Sequence, residues 1–166
     1  MNIILASDHA GFALKEAIKA FLESKKYQVL DVGAHELVPE DDYPVYMTAA
    51  AMKVAEDIEG NTKAILFGMS GQGEAMVANR FPGVRAAVWY GGGELKSVAA
   101  SATDSGATNE NIIKLSREHN DANILSIGAR FVSEDEAKKA IELWLATPFS
   151  GEEKHARRIE EIDSVE

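Results

Sequence analysis

The chain predicts an α/β fold: a doubly wound, Rossmann-like, five-stranded parallel sheet with helices on both faces, in three layers. Three observations predict it. Short apolar runs alternate with longer helical stretches five times, the pattern of successive βα units. The runs, such as IILA at 3–6 and AILF at 64–67, are apolar throughout rather than at every second residue, as in strands covered on both faces. They end in glycine or in polar turns, which break the chain where a strand passes into a helix. No repeat, linker or low-complexity tract divides the sequence, so one domain over 1–166 is expected.

Each element has its own signal. Residues 2–7 read as the first strand and DHAG at 8–11 as its turn. The helix at 12–25 carries a stripe of Phe12, Leu14, Ala17, Ile18, Phe21 and Leu22. A second strand at 27–32 ends at Gly33. Residues 34–46 are polar and turn-rich, with Pro39 and Pro44 flanking Glu40, Asp41, Asp42 and Tyr43. A helix at 47–58 stops at Gly60 and Asn61. The third strand, 64–67, breaks into GMSGQG at 68–73, and a helix starts at Glu74. FPG at 81–83 ends that helix, 84–90 is the fourth strand, and three glycines follow at 91–93. Two helical halves are expected at 94–102 and 109–117, joined by TDSG at 103–106. The fifth strand is 123–127. Ser133 with Glu136 three residues on is a capping box for a helix running to about Leu145. TPFSG at 147–151 separates it from a last helix at 152–162.

Composition narrows the function. The 166 residues are 46% hydrophobic and 27% charged, enough to bury one sizeable core. A net charge of −10 argues against non-specific binding to nucleic acid or an anionic membrane. The chain has no cysteine, which removes disulfides, thiolate chemistry and Cys-ligated zinc. The opening MNIILASDHAG has no basic region, and no stretch approaches the ~20 apolar residues of a membrane span. A cytoplasmic protein is the expectation.

Ligands of such sheets bind at the carboxyl ends of the strands. The junctions expected there carry Asp8 and His9, the acidic loop, Ser70 and Glu74, the glycine triplet, and Arg130. Strand, glycine turn and helix at 64–80 aim N–H groups at an anion, with the Ser70 hydroxyl and the Glu74 carboxylate at the rim. The reading is that this loop holds a developing oxyanion while Glu74 moves a proton; the bland alternative is that Glu74 only complements the helix dipole. His9, beside Asp8, fits ring-oxygen or phosphate work, and His119, in a polar His–Asn–Asp run, fits proton transfer near neutrality. His35 and His155 carry weaker signals, His35 that of a loop residue. Arg130 suits a phosphate dianion. Lys154, Arg157 and Arg158 lie on a charged terminal helix where solvation is the default. Tyr43, between Asp42 and Pro44, reads from the residues alone as a packing aromatic. Three consecutive acids at 40–42 do not easily converge on one ion, and no spaced His or Asp follows, so no metal site is expected. Met47, Met52, Met69 and Met76 read as core filler. The loop GMSGQGE has neither the Gly-Lys-Ser/Thr of a nucleotide loop nor GxGxxG.

Several motifs occur in order: SDHAG at 7–11, DYP at 42–44, GMSGQGEAMVANR at 68–80, REHNDAN at 117–123 and GAR at 128–130, with KHARRIEEI near the end. Together they resemble the type B ribose-5-phosphate isomerase family, which includes the galactose-6-phosphate isomerase subunits, over nearly the whole chain. The resemblance implies an aldose–ketose isomerase, with ribose 5-phosphate and ribulose 5-phosphate first and a hexose 6-phosphate second; a non-catalytic sugar-phosphate-binding protein is the alternative of another class. It implies no metal or organic cofactor. It also implies a homodimer or dimer of dimers sharing its sites, with the helix at about 151–164 packing on the partner. By position, Glu74 would shuttle the C1/C2 proton, and Ser70 with the amides of Gly71, Gln72 and Gly73 would hold the oxygen. His119 with Asp8 would open the sugar ring. His9, Arg130 and Arg158 would grip phosphate, with Lys154 where the family usually has an arginine. Tyr43 and Asn120 would touch the sugar. The chain departs from the family at Gly68, where many members carry a cysteine, and in a longer segment at 91–116.

Overall fold

Five parallel strands form the sheet, in the order β2-β1-β3-β5-β4: β1 (Asn2–Ser7), β2 (Gln28–Asp31), β3 (Thr62–Gly68), β4 (Ala86–Trp89) and β5 (Ile124–Gly128). The helices between and after them are α1 (Phe12–Ser24), α2 (Tyr43–Ala55), α3 (Gln72–Ala78), α4 (Asn109–Glu118), α5 (Glu134–Ala146) and α6 (Glu153–Asp163). The computed structural model describes residues 1–92 and 109–165.

Alternation along the strands makes two apolar layers. Ile3, Leu5, Ile65, Phe67, Leu125 and Ile127 face one side, where Ile18 and Leu22 of α1, Ile113 of α4 and Ile141 and Trp144 of α5 cover them. Ile4, Ala6, Ala64, Leu66 and Ile124 face the other, under Met47, Ala50, Ala51 and Val54 of α2 and Ala78 of α3. Burial on both faces is what the uniformly apolar runs required, each large side chain contributing ~1.5–3 kcal/mol.

The chain leaves β1 towards β2 and leaves β3 in the opposite direction towards β5 and β4. The crossovers diverge between β1 and β3, which opens a crevice beyond their carboxyl ends. Ser7 is in register with Phe67, so the turn after β1 and the glycine loop after β3 are neighbours.

Several element boundaries differ from the expectation. α2 starts at Tyr43 instead of 47 and ends at Ala55. Pro44 lies in its first turn, where the missing N–H has no intrahelical partner to lose. α3 starts at Gln72 after Gly71, whose φ is +78°. The second and fourth strands shorten to Gln28–Asp31 and Ala86–Trp89. The capping box of Ser133 and Glu136 forms as expected, and the expected half at 109–117 is α4. The half at 94–102 and its link at 103–106 lie outside the described residues. Of the four methionines read as core, only Met47 is; Met52, Met69 and Met76 are 45%, 48% and 68% exposed. Met47 alone falls on the stripe that α2 turns inward with Ala50, Ala51 and Val54.

Candidate active site

Glu74 stands just past the carboxyl end of β3. It sits in the first turn of α3, only 4% exposed, and its Oε2 is buried without a hydrogen-bond partner among the described residues. Burial pushes its carboxyl above the usual range and the charge of Asp8 adds to this, against the N–H groups of Glu74 and Gly71. A carboxylate that is buried, raised and incompletely hydrogen-bonded is suited to accept a proton.

The surrounding backbone is set by close approach. A Cβ on Gly68 would overlap the Glu74 carboxylate. Gly71 combines positive φ with tight packing on β5, where a Cβ would come 3.1 Å from Ser126 O. The Ser126 hydroxyl donates to Gly71 O at 2.7 Å. The N–H of Ala129 reaches Gly68 O at 2.8 Å and that of Arg130 reaches Met69 O at 3.3 Å. The loop after β5 is thereby laced to the loop after β3, which tethers Arg130 at the crevice, exposed. Tyr43, the first residue of α2, packs on the start of α3, its hydroxyl oxygen 2.7 Å from where a Cβ on Gly73 would stand. The Ser70 hydroxyl accepts the N–H of Gln72 at 3.4 Å; Gln72 itself points to solvent.

The turn after β1 forms the other wall. Asp8 is 6% exposed and its Oδ1 accepts the N–H groups of Ala10 and Gly11 at 3.0 and 3.1 Å. His9 meets Asp41 of the acidic segment, Nδ1 to Oδ1, at 2.7 Å. Asp8, His9 and Asp41 thus bring one oxygen or nitrogen each within 4.8 Å of one another. The expectation that the acidic segment lacks partners looked only downstream; its partners lie upstream. The hydrogen bonds engage Oδ1 of both carboxylates and Nδ1 of the ring, and Asp41 Oδ2 is buried with no partner among the described residues.

His119 and Asn120 stand at the opposite edge. They precede β5, and Ile124 pairs with Ala64 where Gly128 pairs with Gly68. Four residues of strand, roughly 13 Å, separate this turn from the Glu74 loop. Two arginines pin it. Arg85 Nε donates to Asn120 O at 2.9 Å and its Nη2 pairs with Asp121 at 3.2 Å. Buried Arg117 donates from Nη1 to Ala122 O at 2.6 Å and from Nε to Thr147 O at 3.2 Å. They hold Asp121 at φ +42°. His155 of α6 stacks on His119, ring centroids 4.1 Å apart and planes 13° from parallel. Lys154 and Arg158 are exposed on the same helix, Lys154 paired with Glu152 at 2.7 Å. One chain therefore gathers Asp8, His9, Tyr43, Ser70, Gly71, Gln72, Gly73, Glu74 and Arg130 at its carboxyl edge, and His119, Asn120, Lys154 and Arg158 near the other.

The fold recurs in known proteins. The description "Ribose/Galactose Isomerase" matches residues 3–162. The chain belongs to the ribose/galactose isomerase family. Within it, ribose-5-phosphate isomerase B of Mycolicibacterium paratuberculosis is 36% identical over 166 residues, 100% of this chain and 92% of that protein. The Escherichia coli protein of the same name is 34% identical, covering 99% of this chain and 96% of its own length. Among solved structures, ribose-5-phosphate isomerase B from Mycoplasma genitalium with bound ribulose-5-phosphate superposes with a TM-score of 0.83 at 33% identity, covering 98% of this chain and 93% of that one. The Thermotoga maritima enzyme gives a TM-score of 0.78 at 35% identity, covering 99% and 98%.

Two members of these clusters in this ribose/galactose isomerase were missed. His155 carries only a weak signal in the sequence, yet it is 3% exposed. Its place one turn into α6 gives an inward face, but nothing in the sequence says that this face meets residue 119. Asp41 is one acid among three, and only the tertiary structure chooses it.

Proposed function

We infer that this chain interconverts ribose 5-phosphate and ribulose 5-phosphate through an enediolate. The observation that carries this reading is Glu74, a buried carboxylate with a raised pKa beside a loop of backbone donors. The names of the relatives and the ribulose-5-phosphate in the M. genitalium structure agree with it. In the open-chain sugar the Glu74 carboxylate takes the proton from C2. The C2–H electron pair forms the C1=C2 bond, and the carbonyl pair moves to O1. N–H groups of Gln72 and Gly73 and the Ser70 hydroxyl hold the developing charge, each well-aimed donor lowering the barrier by ~3–4 kcal/mol. Glu74 then returns its proton to C1, and the O2 proton is exchanged towards O1, leaving the ketose. A base so placed contributes ~10²–10⁴-fold.

Ring opening needs an acid or base at the ring oxygen. His119 is the group for it in our reading, with Asp8, and Asn120 holds the sugar. Since His119 stands at the far edge of its own chain, the one that serves a given Glu74 comes from a second copy, in a homodimer or a dimer of dimers. Exposed Met69, Met76, Tyr90 and Phe131, close to the glycine loop, are the apolar surface that the second copy covers. His9 and Arg130 from one copy and Arg158, with Lys154, from the α6 of the other bind the phosphate; Tyr43 packs on the sugar. A lysine supplies charge without the bidentate fork of an arginine.

The test is proton exchange in heavy water. The protein should wash deuterium into the substrate at C2 and turn it over, and Glu74→Gln should bind ribose 5-phosphate while losing turnover. Binding without exchange in the unaltered protein would make it a sugar-phosphate sensor instead. A panel of pentose and hexose phosphates separates the first substrate from a hexose 6-phosphate.

A further inference from the structure

Asp41 has no part in the chemistry above, and its contacts are too specific for a surface acid. Its side chain is 7% exposed. Oδ1 receives two bonds from one residue, the backbone N–H of His9 at 2.8 Å and the ring Nδ1 at 2.7 Å. A carboxylate has no proton to donate, so the bond to Nδ1 exists only if the ring carries a proton there. Burial pushes the Asp41 carboxyl up, but the backbone and ring bonds from His9 hold it below the usual range, so Asp41 is ionised at neutral pH. Neutral His9 is then the Nδ1–H tautomer, its ring rotation fixed by a main-chain and a side-chain bond to the same oxygen. The ring is about one-third exposed, and Nε2 is the nitrogen left for a ligand.

We propose that Asp41 is a positioning residue for the isomerase. By binding both the N–H and Nδ1 of His9, it sets the tautomer and directs Nε2 to the sugar phosphate at the mouth of the Glu74 crevice. The same contact ties the segment between β2 and α2 to the turn after β1, two residues before Tyr43 settles on Gly73. This segment therefore shapes substrate binding without touching the reacting carbons. The proposal rests on the reading of His9 as a phosphate ligand. It makes a physical claim about the ring that can be measured without substrate.

Nitrogen NMR of the ¹⁵N-imidazole-labelled full-length protein, at a pH where the rings are neutral, reads the tautomer directly. The expected spectrum shows the proton on Nδ1 of His9 in the unaltered protein and a shift towards the Nε2–H form in Asp41→Ala. Asp41→Asn, nearly the same shape, keeps the segment folded should the alanine variant fail to fold. In kinetics, D41N should raise KM for ribose 5-phosphate about tenfold, in line with loss of a charge-assisted hydrogen bond, with kcat nearly unchanged. His9→Ala combined with D41N should be no worse than His9→Ala alone. An Nε2–H tautomer in the unaltered protein overturns the proposal without any variant. A raised KM in His9→Ala with none in D41N overturns it while leaving the phosphate reading intact. An unchanged KM in His9→Ala overturns the phosphate reading itself, and with it the functional half of the proposal.

Discussion

The Glu74 carboxylate lies over Gly68, in the volume that any side chain at residue 68 would fill. A hydrogen at the end of β3 is thus the condition for a buried carboxylate at the start of α3. The resemblance had marked Gly68 as a position where many relatives carry cysteine; the geometry makes the two arrangements mutually exclusive. A chain with this glutamate folded over the strand end has no room for a thiol beneath it.

Gly68→Ala is therefore expected to be a catalytic lesion produced by one methyl group. The new Cβ must push Glu74 aside, and a displaced base costs on the order of 10²-fold in kcat. Overpacking should lower stability by ~1–3 kcal/mol. Steady-state kinetics and urea unfolding measure the two effects. Near-normal kcat in a folded G68A would mean that Glu74 does not work from the position seen.

Glu74 also sets a pH dependence with a definite sign. Its folded-state pKa is raised, chiefly by burial and further by Asp8. Between the ordinary carboxylate value and the raised one, the folded protein binds more protons than the unfolded chain, so stability falls as pH rises through that window. Glu74→Gln removes that slope, and at neutral pH should be more stable by ~1–3 kcal/mol, the scale of an incompletely bonded buried polar group. The activity of the unaltered protein should rise with pH across the same window as the base becomes ionised. Chemical denaturation at several pH values, for both proteins, tests the sign.

His155 titrates in the opposite sense. Burial lowers its pKa from 6.5, and the neighbouring His119 adds to the effect. The unfolded chain takes up the proton first as pH falls below 6.5, so acidification through this range should lower the melting temperature. His155→Phe keeps a flat ring against His119 and should flatten that part of the curve. A melting curve with the same acid dependence in the variant would assign the effect elsewhere.

Two inactive variants should rescue each other. If each site takes Glu74 from one copy and His119 from another, E74Q and His119→Asn dimers are each inactive. Subunits exchanged at equal amounts form mixed dimers with one intact site, and about a quarter of full activity should return for random pairing. No recovery after verified exchange would place both residues in sites that a single copy completes.

Arg117 tests the turn that presents His119. Arg117→Met keeps the stem against Trp144 but removes the bonds to Ala122 O and Thr147 O. Loss of ~2–3 kcal/mol is expected, since these carbonyls are left buried and bonds from a charged donor are the strong ones. Unfolding measurements on R117M give the number directly.

Much of this protein was legible in one dimension. Uniformly apolar runs fix parallel strands because only a sheet covered on both faces can hide them. The capping box of Ser133 and Glu136 is local, so the start of α5 could be read directly. Boundaries slipped where a residue is permitted in two states: Pro44 marks a turn and equally the first turn of a helix. The methionines were misjudged because apolarity does not say which side of a helix meets the sheet.

What the order of residues determined by itself is the fold class, the glycine loop with its glutamate, and the family, since the first two depend on neighbours a few positions apart and the third on several such short motifs in order. What only the tertiary structure decided is which distant groups meet. It chose Asp41 among three acids for His9 and set His155 against His119. It also divided the expected site between two edges of one sheet. The reason is that pairings across 32 residues are made by strand order and packing, which no local pattern encodes.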